Sequence, residues 1–103
     1  MQHLRIATYG ITKGSFQEVA ESAKTGMLKK FQEQPGFVRY GVADLGDQTC
    51  LSISLWDTRE QAQAAAPVAA TWVQEHVADR IELKTSSVGD LAFFKGVPVP
   101  ATV

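Results

Sequence analysis

The feature that most constrains this chain is a pair of helix-start signatures, each lying directly after an alternating run. Ser15-Phe16-Gln17-Glu18 and Thr58-Arg59-Glu60-Gln61 both have capping-box spacing. In that motif a hydroxyl accepts from the backbone N–H three residues on, and the acid or amide there reaches back. Before the first signature, His3 to Ile11 places Leu4, Ile6 and Thr8 on one face and Arg5, Ala7, Tyr9 and Ile11 on the other, the period of a strand. Before the second, Thr49 to Trp56 sets Leu51, Ile53 and Leu55 against Cys50, Ser52, Ser54 and Trp56. Two strand-to-helix transitions within 103 residues leave room for one domain.

The remaining elements fill in around these. Phe16, Val19, Ala20, Ala23, Met27, Leu28 and Phe31 recur at helical steps after Ser15. Gly26 within that stripe costs up to about 1 kcal/mol relative to alanine, which marks either a loose turn or close packing. Pro35-Gly36 ends the helix. Phe37 to Asp44 is a second strand, and a tight turn around Gly46-Asp47 makes an antiparallel hairpin with the third. An alanine-rich helix follows Thr58. Pro67 removes a backbone donor and crowds the carbonyl of Gln63, so a kink or break is expected there, with a second half from about Val68 to Asp79. Val88 to Phe94 reads as the last strand, after an unassigned passage through Glu82–Ser87. The folded domain is expected over 1–95, and 96–103, with Pro98 and Pro100, reads as an extended tail unsuited to a central strand.

The order β-α-β-β-α-β is the ferredoxin-like α+β arrangement, an antiparallel four-stranded sheet with its helices on one face. Neither sheet face reads as polar, because Arg5, Arg39, Ser52 and Ser54 are interleaved with Ala7, Tyr9, Ile11, Ala43 and Trp56. A partner over the second face is therefore expected, and an identical chain on a two-fold axis supplies it most simply.

Composition removes several classes. Ten Lys+Arg against eleven Asp+Glu, scattered along the chain, lack the footprint of a nucleic-acid binder. No apolar run approaches a membrane span, and Met1-Gln2-His3-Leu4-Arg5 does not read as a secretory signal. One cysteine and two separated histidines offer no intrachain disulfide and no metal cluster. A small soluble protein of a reducing, cytoplasmic compartment is expected. Glycine-rich phosphate loops and Gly-x-Ser-x-Gly elbows do not occur.

Several segments resemble the antibiotic-biosynthesis-monooxygenase domains, which form dimeric α+β barrels. Gln34-Pro35-Gly36-Phe37 resembles their helix-to-strand break. Ser52-Ile53-Ser54-Leu55-Trp56-Asp57-Thr58-Arg59-Glu60-Gln61-Ala62 is similar to their third strand and following helix start. Ala70-Thr71-Trp72-Val73-Gln74-Glu75-His76-Val77 resembles their second-helix pattern. The resemblance runs from about Leu4 to Phe94. It implies a homodimer and, where there is activity, cofactor-independent oxygenation of a small aromatic or quinol-like substrate, with no metal and no organic cofactor. Haem-degrading members use an asparagine on the first strand, where Ala7 stands here, and a second-helix tryptophan, near which Ala65 or Ala66 stands. Asparagine is missing from the whole chain, which disfavours haem degradation and the asparagine-dependent sites of some oxygenases.

The residues that could carry chemistry are few. Trp72 and His76, four apart on a helix face with Ala69 before them, could flank a flat ligand, His76 acting as base; the plainer reading is a core tryptophan and a surface histidine. Arg5 and Tyr9 share a strand face and could hold a phenolate or enolate oxygen, or could be a snorkelling arginine and a packed tyrosine. Tyr40 and Trp56 could line a substrate pocket, or simply pack the sheet. The alanines from Ala62 to Ala70 either draw the helix close to the sheet or leave a cavity with its mouth at Pro67. Cys50 reads as an inert buried thiol, and His3 as surface. The rival to the enzyme is a non-catalytic homodimer of the same fold, binding a small apolar ligand or serving as a structural module.

Overall fold

Both predicted caps form. Ser15 Oγ accepts from the Glu18 N–H at 3.3 Å while Glu18 Oε1 accepts from the Ser15 N–H at 3.2 Å. Thr58 Oγ1 and Gln61 make the same reciprocal pair, at 3.1 Å in each direction. The structure is a computed structural model, and it describes residues 2–95; the 96–103 tail lies outside the described residues. Four strands, β1 (His3–Ile11), β2 (Phe37–Gly46), β3 (Thr49–Trp56) and β4 (Ile81–Asp90), form one sheet in the order β2-β3-β1-β4. Every neighbouring pair is antiparallel. This is the ferredoxin-like α+β fold that the element order predicts.

The first helical segment is one rod with a wide turn in it: α1 (Phe16–Ser22), a π turn (Ala23–Met27) and α2 (Leu28–Gln32). The Leu28 N–H donates to Ala23 O, five residues back. Gly26 lies inside the π turn with Trp72 packed against it, so close packing is the reason for this glycine. Gly36 takes a φ of +78°, and the Gln61 side chain occupies the space a Cβ would need. The Asp57 N–H donates to Gly36 O at 2.9 Å, which ties the Pro35-Gly36 turn to the end of β3.

Two expectations need correction. The break at Pro67 is not seen: α3 runs unbroken over Arg59–His76. Ala62, Ala65, Ala69 and Trp72 bury its inner face, whereas Pro67 and Gln63 are exposed, so the carbonyl freed by proline can turn to water. The last strand runs from Ile81 to Asp90, earlier than the expected Val88–Phe94. It pairs from Ile11↔Ile81 to His3↔Asp90 with an irregularity between Thr8 and Tyr9. That bulge interrupts the alternation, and an edge strand carries little hydrophobic pattern in any case. Asp90 anchors its end, 2.7 Å from His3 Nδ1 and 2.8 Å from Arg59 Nη1. Those two hydrogen bonds, His3 first, hold the Asp90 carboxyl below its ordinary range. As a depressed carboxyl, its contribution to stability is present at neutral pH and fades on acidification, and its exposure keeps it small.

Register settles which face is which. Arg5, Ala7, Tyr9 and Ile11 stand beside Cys50, Ser52, Ser54 and Trp56, and this mixed set lies beneath the helices. The open face carries Leu4, Ile6, Leu51, Ile53 and Leu55 instead. Leu55 is buried without belonging to the helix-side core. The apolar open face exists, then, but it is built from the opposite set of side chains to the interleaved one.

Candidate functional site

The layer between sheet and helices is apolar except for a short polar row on its floor. β1 brings Arg5 and Tyr9, β2 brings Tyr40 and β3 brings Ser52. Arg5 is 3% exposed, Tyr9 7% and Ser52 8%. Among the described residues no carboxylate pairs with Arg5, and its Nε has no hydrogen-bond partner. Burying a charge without a counter-ion is expensive: even after relaxation the effective penalty is several kcal/mol per ion.

Tyr40 is the row's second unusual member. Burial, then the neighbouring Tyr9 and Cys50, push its phenol well above the ordinary tyrosine range, with Ser52 and Arg5 opposing. Tyr40 is therefore a neutral hydrogen-bonding group at any physiological pH, and no base. Burial also raises the Cys50 thiol, with Asp44 adding to it, so this buried cysteine has no thiolate character at neutral pH.

Two spaces open from this floor. A central cavity of about 30 Å³ is bounded by Tyr9, Phe31, Tyr40, Ala69, Trp72 and Ile81. That is room for a water or two and far too little for an aromatic ligand. A cleft of about 480 Å³ lies between α3 and β4, walled by Arg5, Tyr9, Pro67, Val73, Leu83 and Ser86. Ala66 and Ala70 flank Pro67 in its lining, while Ala62, Ala65 and Ala69 are buried against the core. The volume falls within the range of small-molecule sites.

Trp72 and His76 share a face as their spacing predicts, with ring centroids 5.4 Å apart. They open on a different space, a groove of about 460 Å³ between the first helical rod and α3, with Gly26, Lys29, Lys30 and Arg80. Trp72 also bounds the central cavity. The seven candidates thus divide. Arg5 and Tyr9 come together in the cleft; Tyr9, Tyr40, Ala69 and Trp72 meet around the central cavity; His76 stands in the outer groove. Trp56 belongs to an aromatic cluster with Phe31 and Phe37 and borders a separate space of about 70 Å³ beside Pro35 and Gln61.

Sequence reasoning did not find the β4 wall of the cleft. Leu83 and Ser86 sit in the passage left unassigned, and only the register with Tyr9 and Ala7 puts them there. Nor did it find the Lys29–Lys30–Arg80 side of the outer groove, for which no spacing signal exists. Among the described residues no group of three or more His, Cys, Asp or Glu side chains could hold a metal ion. No helix among them is long and apolar enough to cross a membrane.

An antiparallel ferredoxin-like domain with a buried guanidinium beside an apolar cleft is the class these observations define. Solved structures share its fold. MupZ from Pseudomonas fluorescens is 13% identical over 84% of this chain and 69% of its own, with a TM-score of 0.67. SnoaB from Streptomyces nogalater, a cofactor-independent oxygenase, is 16% identical over 96% of this chain and 97% of its own, at 0.61. A Chloroflexus aurantiacus protein provisionally named an antibiotic biosynthesis monooxygenase is 16% identical over 95% of this chain and all (100%) of its own, at 0.64. No protein-family model matches the sequence, and no curated protein matches it. The chain has the fold of the antibiotic-biosynthesis-monooxygenase-like α+β proteins, and identities this low speak for fold alone.

Proposed function

We propose that this chain is a homodimeric α+β-barrel protein acting as a cofactor-independent monooxygenase on a small aromatic or quinol-like substrate. The observation that carries this reading is Arg5, buried and unpaired at the wall of an apolar cleft with Tyr9 beside it. A phenol or enol seated there would ionise more readily, since the guanidinium and the Tyr9 hydroxyl would stabilise the oxyanion in a largely apolar site. The released proton leaves through the cleft mouth. The electron-rich carbanion then reacts with dioxygen directly. For an anthrone, one oxygen atom becomes the new ring carbonyl and the other leaves as water with the two hydrogens of the oxidised methylene, so no external reductant is needed. SnoaB, the cofactor-independent oxygenase of like fold, supports the chemistry as a precedent.

The test is oxygen uptake with anthrone as probe under air. Wild-type protein is expected to consume oxygen one-to-one with anthraquinone formed, and Tyr9→Phe is expected to slow it by about tenfold to a hundredfold. No uptake above the buffer rate would overturn the oxygenase reading. His76 is tested separately: a base role requires His76→Ala to lower the rate and the acidic limb of its pH profile to move. An unchanged profile leaves Arg5 and Tyr9 as the whole of the polar machinery.

A second reading, a non-catalytic ligand-binding dimer, is favoured by one observation. His76 does not line the cleft that holds Arg5 and Tyr9. Both readings include the dimer, which would cover Leu4, Ile6, Leu51, Ile53 and Leu55. Ile53→Asp is expected to convert a dimer to a monomer by sedimentation equilibrium, because it places an unpaired carboxylate at the centre of that face. A wild-type monomer at tens of micromolar would remove the dimer.

A further inference from the structure

We propose that the α3–β4 cleft is a carboxylate-recognition site, with Arg5 as its receptor, and that its ligand is a small, otherwise apolar aromatic acid. This rests on the preceding reading only in taking the cleft as the ligand's seat; oxygen chemistry is not required. Every charge on the surface of this chain can be neutralised by water and salt. Arg5 is different, because it is 3% exposed and its Nε has no partner. The three ion pairs among the described residues are His3–Asp90, Arg59–Asp90 and Lys84–Glu82, and none reaches it. No acidic side chain lines the cleft either. The charge is therefore offered to the cleft rather than to the protein.

The shape of the offer selects the anion. A guanidinium presents a planar fork that matches the two oxygens of a carboxylate, whereas a single phenolate oxygen uses half of it. Tyr9 and Ser86 are the other polar residues of the lining. The remainder of the lining is Ala66, Pro67, Ala70, Val73 and Leu83, flat and apolar, and suited to an aromatic ring rather than to a sugar or a peptide. Leu83 is 51% exposed, a large apolar side chain in solvent on a strand whose Ile81 is buried. An aromatic ring seated in the cleft would cover it. The outer groove differs on this point: Lys29 and Lys30 are exposed, solvated cations that need no bound anion.

The experiment compares 2-naphthoate with its neutral isostere 2-naphthamide by isothermal titration calorimetry on the full chain. Wild-type protein is expected to bind 2-naphthoate at least about tenfold more tightly than 2-naphthamide, and Arg5→Met to erase the difference. Arg5→Lys, which keeps the charge but not the fork, is expected to retain part of the preference. In the absence of ligand Arg5→Met is expected to melt at the wild-type temperature or above it, because it removes a buried charge without removing a bond. A wild type that binds neither probe, or binds both equally, overturns the proposal, as does a preference that survives Arg5→Met. An Arg5→Met protein that melts below wild type also overturns it by assigning Arg5 a role in holding the fold. Oxygen uptake on the same preparations separates the two readings. Preference for 2-naphthoate without oxygen consumption from anthrone removes the oxygenase alone; oxygen consumption without the preference removes the carboxylate site alone.

Discussion

Trp56→Ala is expected to be the most damaging single substitution in the chain, costing about 3–5 kcal/mol by urea denaturation at fixed protein concentration. Trp56 is 1% exposed at the end of β3. Its ring meets Phe31 and Phe37 edge-to-face at centroid distances of 5.4 and 5.5 Å. Phe31, fully buried, also meets Tyr40 at 5.1 Å, so one tryptophan joins the first helical rod to the middle of the sheet. Removing it leaves a cavity in a layer that already has one, and it strands a polar group. Trp56 Nε1 donates to Ser54 Oγ at 2.9 Å, and Ser54 is 1% exposed, so its hydroxyl would lose that partner where no water reaches. For a domain whose total stability is on the order of 5–15 kcal/mol, that loss removes a large share of the total. Trp56→Phe keeps one six-membered ring but loses the fused second ring with its N–H, so a smaller cost of about 1–3 kcal/mol is expected. Leu45→Ala, at a position 53% exposed on the hairpin, serves as the control and is expected to stay within about 0.5 kcal/mol of wild type. A Trp56→Ala protein as stable as this control would mean that the aromatic cluster is not what joins helix to sheet.

How far such a cluster could be read in advance shows what the sequence holds and what it does not. Elements with a local signal were legible. β1 and β3 appear over the residues their alternation marks, and both capping boxes close, because those patterns depend only on neighbours three or fewer residues away. Elements fixed by a distant partner were not. β4 forms because β1 supplies its hydrogen bonds, and Glu82 to Ser87 carry no period of their own. Pro67 shows the converse: a strong local breaker is overridden when the buried alanine face of α3 packs well enough to keep the helix unbroken. The candidate site follows the same division. The pairs Arg5 with Tyr9 and Trp72 with His76 were visible as shared faces of single elements. Their separation into a cleft and an outer groove depends on how α3 crosses the sheet, which no spacing within an element encodes. Arg5 itself could be named but not weighed, since an arginine in a strand becomes informative only when nothing is found to pair with it.

Gly26→Ala carries the second large expectation, and its sign is the point of interest. In an exposed helix the change would gain up to about 1 kcal/mol. Here a Cβ built on Gly26 would lie 2.7 Å from Trp72 Nε1 and 2.8 Å from its Cζ2. The indole is a rigid ring, buried to 7% exposure, that borders both the central cavity and the outer groove. It cannot yield without opening one or filling the other. Overpacking of this kind costs typically about 1–3 kcal/mol, so a net destabilisation of about 1–2 kcal/mol is expected. The π turn fits the same account. Widening the helix over Ala23–Met27 displaces the backbone around Gly26, and Thr25 Oγ1 donates to Glu21 O at 2.9 Å within that turn. If the clash with Trp72 is the cause, the penalty belongs to the pair. In a Trp72→Phe background, where the atoms nearest the new methyl are gone, Gly26→Ala is expected to become neutral or stabilising. That corresponds to a coupling of about 1–3 kcal/mol in a double-mutant cycle. A penalty of equal size in both backgrounds would place the cause in the π turn itself and leave Trp72 free to move. A Gly26→Ala that stabilises the wild-type chain would show that the indole swings aside at no cost, joining the outer groove that holds His76 to the cavity beside Tyr9 and Tyr40.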